Sequence, residues 1–93
     1  MIRSFKDART RSVAGGHTPK GFPSSILKVA IRKLTMINVA TTLDDLRSPP
    51  GNRLEALKGD RSGQHSIRIN DQWRICFVWR EGGAEDLEIV DYH

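Results

Sequence analysis

The chain has 93 residues and a formal net charge of +4, from 15 Lys and Arg against 11 Asp and Glu. Its length and a hydrophobic content of 38% fit one globular domain over residues 1–93, and argue against a multidomain or disordered chain. A lone cysteine, Cys76, rules out an internal disulfide and fits a reducing cytosol; its apolar surroundings make it an inert core thiol.

No apolar run approaches the roughly 18 residues of a membrane span. "MIRSFKDART" carries charges without the apolar stretch of a signal peptide. A cytoplasmic protein without membrane contact is expected. Ten of the 15 basic residues are Arg, whose planar fork suits phosphate and stacks on bases. That composition fits a polyanionic partner, and it equally fits ordinary surface charge.

In chain order, "MIRSFK" is apolar at Ile2 and Phe5 and reads as an edge strand. "DARTRSVAGG" opens on a capping residue, Asp7, and closes on Gly15-Gly16, which predicts a short helix. "HTPKGFP" is a loop. In "PSSILKVAIRKLTMINVA", Leu27, Ala30, Ile31, Leu34 and Ile37 form one stripe at helical spacing. Lys28, Arg32 and Lys33 lie away from that stripe and are expected on a solvated outer face, ahead of an RNA groove or a docking face for an acidic partner. Thr42 is a cap candidate for one further helical turn, which Pro49-Pro50-Gly51 stops.

The period then changes to two. "RLEALKG" is a short strand candidate, "GDRSGQ" a turn, and "HSIRIN" a strand with Ile67 and Ile69 on one side. "WRICFVW" is apolar on both faces and predicts a central strand. "REGGAED" is a hairpin turn at Gly82-Gly83, and "LEIVDYH" the last strand. The expected fold class is α+β: a mostly antiparallel sheet with two N-terminal helices packed on one face.

Few chemistries fit the residues. His17, His65 and His93 are far apart in sequence and Cys76 stands alone, so no metal or other cofactor is expected. "GGHTPKG" does not match a phosphate-loop spacing, and no nucleophile elbow is present. RNA can be cut without metal by its own 2′-OH, given a base, an acid and cations around the phosphorane. The C-terminal half holds such a set in Glu55, Lys58, Arg68, Arg74, Asp91, Tyr92 and His93. Each also suits a plain structural role. Glu55 and Arg68 fit solvent-facing strand positions, Arg74 a surface place beside Trp73, Tyr92 packing and His93 a strand end.

The markers "LKGDR", "INDQWRICF" and the terminal "DYH", with "IRSFKD" and "AIRKL" earlier, resemble the HigB-type toxins of the RelE/ParE superfamily. The resemblance covers almost the whole chain. It implies a RelE-like fold with a twisted sheet, and a metal-independent, ribosome-dependent endoribonuclease that cleaves mRNA in the A site. It further implies neutralisation by a HigA-like helix-turn-helix antitoxin, with operator DNA bound only through that complex. Tyr92 and His93 match the family's terminal Tyr-His, and Asp91 the acidic residue before it. Lys58 and Arg74 match basic positions that face the RNA phosphate. Some members carry a histidine where this chain has Glu55, so the resemblance implies Glu55 as base with His93 as acid, or a weaker enzyme. Two other readings share the fold: a ParE-like gyrase inhibitor, and a weakened toxin acting as co-repressor with its antitoxin.

Overall fold

Helices lead and the sheet follows in the computed structural model, which describes residues 1–91. Helix α1 is Ala8–Ala14. The Asp7 carboxylate accepts from the Thr10 amide at 2.8 Å, and Gly15 ends the helix by donating to the Arg11 carbonyl. This is the cap-to-glycine span the sequence predicts. Helix α2 is Leu27–Val39, entered through a 3-10 turn at Ser24–Ile26. Its stripe is buried at Ala30, Leu34 and Ile37 and half-buried at Leu27 and Ile31. Thr42 then caps a 3-10 turn over Leu43–Arg47, its hydroxyl accepting from Asp45 while the Asp45 carboxylate reaches back to the Thr42 amide.

Four strands follow: β1 Glu55–Ala56, β2 His65–Arg68, β3 Trp73–Arg80 and β4 Gly83–Asp91. They pair antiparallel in the order β1-β2-β3-β4. The α+β class and antiparallel sheet expected from the sequence are therefore present. The N-terminal segment adds to the β4 edge in parallel, at Ile2–Ala84 and Phe5–Leu87. It shields an edge that would otherwise be open to pairing. Arg3 from this segment donates to the carbonyls of Arg80 and Glu81 and clamps the β3–β4 turn. A Cβ at Gly83 would lie 2.7 Å from the Arg3 Cζ, so a larger residue there would push the guanidinium aside. The turn residues Glu81 and Gly82 have φ of 51° and 74°, the pair of positive values a tight hairpin turn needs.

Alternation divides the sheet into two faces. Ile67, Trp73, Ile75, Phe77, Leu87 and Ile89 pack with Val13, Ala30, Leu34 and Ile37 into one core on the helix side. Ser66, Arg68, Arg74 and Cys76 point the other way, Ser66 opposite Cys76 and Arg68 opposite Arg74. Cys76 is fully buried, and burial pushes its thiol pKa up, which keeps it protonated and unreactive.

Two expectations are corrected. The strand foreseen across "RLEALKG" shrinks to Glu55–Ala56, because Arg53 takes a left-handed conformation (φ 45°, ψ 55°) and Gly59 another (φ 65°). Lys33 is not on a solvated face: it is only 6% exposed. Its ammonium donates to the Asn52 side-chain oxygen, while the Asn52 amide donates to the carbonyls of Leu46 at 3.2 Å and Ser48 at 3.3 Å. The segment after α2 thus folds back over the lysine. Burial lowers the Lys33 pKa, and the nearby charges of Arg32 and Arg68 lower it further. Among the described residues no helix is long and apolar enough to cross a membrane.

Candidate active site

The face of the sheet away from the helices carries a pocket of about 280 Å³, lined by Arg53, Glu55, Arg68, Asn70, Asp71 and Arg74. Register makes it. Glu55 of β1 sits opposite Ser66 of β2, and Arg68 opposite Arg74 of β3. These side chains therefore converge on one side of three adjacent strands.

Arg74 is the anchor. It is 9% exposed, which contradicts a surface position beside Trp73. Its Nε donates to the Ser66 hydroxyl at 2.8 Å, and its Nη2 donates to the Arg53 carbonyl at 2.7 Å. The Glu55 carboxylate lies 3.6 Å from the same Nη2. A buried guanidinium needs such partners, and here they also fix its plane. Arg68 is ion-paired with Asp71 in the turn between β2 and β3. Asn70 holds that turn, its side-chain oxygen accepting from the amides of Gln72 at 2.9 Å and Trp73 at 2.8 Å.

Of the residues singled out in the sequence, Glu55, Arg68 and Arg74 come together here. Lys58 is exposed at the start of the Gly59–Arg61 turn and does not line the pocket. Asp91 ends β4 in register with Trp73, one residue out of phase with Arg74, and its carboxylate accepts from the Gln72 side-chain Nε2 at 3.0 Å. Tyr92 and His93 lie outside the described residues. Among the described residues no three of His, Cys, Asp and Glu converge as a metal set.

The pocket sets three guanidinium groups against the two carboxylates of Glu55 and Asp71. Chemically it can hold a phosphate, and Glu55, half-exposed at its mouth, can accept a proton. Sequence reasoning missed Ser66 and Arg53. Alternation in "HSIRIN" puts Ser66 on the face of Arg68, a legible signal. A left-handed arginine has none.

The fold overlays on the crystal structure of a YafQ variant from E. coli with a TM-score of 0.61, covering 98% of this chain and 93% of that one at 11% identity. That likeness is one of architecture alone. The sequence match is more specific: a family model described as the RelE-like toxin of type II toxin-antitoxin system HigB matches residues 3–93. The chain belongs to the HigB-like toxin family. It is 48% identical to Toxin HigB-1 of Vibrio cholerae over 62 residues, which are 67% of this chain and 65% of that protein. It is 33% identical to the Endoribonuclease HigB of Proteus vulgaris across 100% of both chains.

Proposed function

We propose that this chain is the toxin of a type II toxin–antitoxin pair and acts as an endoribonuclease on mRNA in the ribosomal A site. One observation carries the reading: an arginine-lined pocket beside a carboxylate, in a chain similar over its whole length to a protein named an endoribonuclease. Its natural restraint is a HigA-like helix-turn-helix antitoxin, and operator DNA is bound only through that complex.

The chemistry follows from the residue types. Glu55 takes the proton from the 2′-OH, which then attacks the neighbouring phosphorus. Negative charge grows on the non-bridging oxygens, where Arg74, with Arg68 nearby, offsets it. Held by Ser66 and by the Arg53 carbonyl, Arg74 has little left to reorganise as that charge develops. Lys58 meets the strand outside the pocket. His93 protonates the departing 5′-oxygen, and Asp91 and Tyr92 complete the terminal set. The guanidinium charges supply the electrostatic stabilisation, so the mechanism asks for no metal.

The test is induction without the antitoxin, followed by mapping of mRNA 5′ ends. Growth should stop, and mRNAs should be cut within codons. Glu55→Gln and His93→Ala should each slow cleavage by about a hundredfold or more, the usual share of a proton-transfer group, and Tyr92→Phe should slow it as well. Equal toxicity of the His93→Ala and Tyr92→Phe proteins would remove the role given to the terminal residues. Intact mRNA with broken DNA and an SOS response would instead identify a gyrase inhibitor. Normal growth, with DNA bound only in complex, would identify a co-repressor.

A further inference from the structure

The three pocket arginines are not equivalent. Arg68 is ion-paired with Asp71, and Arg74 is tied to Ser66, to the Arg53 carbonyl and to Glu55. Among the described residues Arg53 is held only through its backbone: its amide donates to the Pro50 carbonyl at 3.1 Å and its carbonyl accepts from Arg74 at 2.7 Å. Its guanidinium is exposed and has no hydrogen-bond or ion-pair partner among the described residues. Three cations against two carboxylates leave one positive charge, and that charge is the Arg53 side chain.

The backbone adds an independent point. Arg53 sits at φ 45°, ψ 55°, in the left-handed region. A residue with a Cβ is disfavoured there, and glycine is not. Packing does not ask for arginine, since the side chain points to solvent at the pocket wall. Such backbone states cluster at turns and at functional sites, and Arg53 ends the Pro50–Asn52 turn at the pocket wall.

We propose that Arg53 grips a phosphate of the bound RNA strand, as a second contact beside the phosphate that Arg74 serves. This rests on the endoribonuclease reading. The chemistry is complementary: a phosphodiester carries one negative charge, and the pocket has one unmatched positive charge to meet it. Because the guanidinium is already solvated and open, binding it costs little desolvation. The same residue positions Arg74 through its carbonyl, so one left-handed turn serves two neighbouring contacts. Arg53 touches phosphate and takes no part in proton transfer, so its loss weakens binding and leaves the chemical step alone.

Arg53→Gly isolates the side chain, because glycine keeps the turn and the carbonyl that holds Arg74. The assay is single-turnover cleavage of a defined mRNA on programmed ribosomes, titrated with toxin at several salt concentrations. The half-saturating toxin concentration should rise roughly tenfold, about the worth of one charge-assisted hydrogen bond. The rate at saturation should stay within about twofold of wild type. The slope of log affinity against log salt should become shallower by about 0.7, the share of one phosphate on a single strand. The thermal midpoint should not fall, and Arg53→Lys should recover most of the affinity. An unchanged half-saturating concentration, a loss confined to the saturated rate, or no rescue by lysine overturns the proposal. Wild-type protein that leaves the mRNA whole overturns the endoribonuclease reading instead.

Discussion

The two faces of the sheet are made by the same strands and held by different physics. On the helix side, Ile67, Ile75, Phe77 and Ile89 are fully buried, and their apolar side chains make no hydrogen bond. Removal of apolar surface from water and close packing hold that face together. On the open side, one residue further along each strand, Ser66, Arg68 and Arg74 are held by specific donors and acceptors. That face contributes little net stability, because a typical hydrogen bond is worth only about 1 kcal/mol against water. It contributes position. A protein of this size can thus place stability on even-numbered partners of a strand and chemistry on the odd, or the reverse, and change one with little effect on the other.

If that separation holds, variants of the two faces should fail in different ways. The largest effect belongs to Phe77→Ala, which opens a cavity in the central strand's packed face and should cost about 3–5 kcal/mol. Urea unfolding would read it directly. Activity corrected for the folded fraction should be near normal. A fully stable Phe77→Ala protein, or a folded one that cannot cleave mRNA, would erase the distinction between the faces. Ser66→Ala should cost about 1 kcal/mol, since Arg74 keeps its bonds to the Arg53 and Ser66 carbonyls. Cleavage should drop more, roughly tenfold, because the Arg74 Nε loses the hydroxyl that aims it. Stability lost with cleavage intact would show that the polar face serves folding rather than chemistry.

The sequence exposes the packed face better than the open one, and the reason is range. Asp7, Gly15 and Thr42 act on their own turns, so the caps of α1 and of the Leu43–Arg47 turn are legible. Periodicity likewise finds α2, and an unbroken apolar run finds β3, because both signals lie within one element. Arg68 and Arg74 can be matched across a hairpin whose turn is short. Lys33 and Asn52 cannot, being 19 residues apart and joined only after the chain folds back from α2. Arg53 depends on a backbone state with no residue signature. Residue chemistry picks out Glu55, Asp91, Tyr92 and His93, and the resemblance to a toxin family assigns them roles; the structure joins Glu55 to Arg68 and Arg74, and leaves Lys58 outside the pocket.

Lys33 gives the smallest effect and the sharpest probe, because it is the one charged residue of α2 on its buried side. Its pKa is lowered from 10.5 by burial, then by Arg32 and Arg68. Between that lowered value and 10.5 the unfolded chain holds more protons than the folded one. Stability therefore rises with pH across this window, and the full handicap of the buried charge is felt below it. Lys33→Met removes the titration. Near neutral pH it also removes the donor to Asn52, and the two changes should offset to within about 1 kcal/mol. As pH climbs towards 10.5, wild type should gain on the variant, read as a widening gap between urea midpoints. The Cys76 thiol titrates in both proteins and cancels from the difference. Parallel curves would mean that water reaches the ammonium, and that the segment carrying Asn52 and Arg53 is not sealed onto the helix. The pocket wall would then rest on a loose support, and the packed face would end one layer short of the open one.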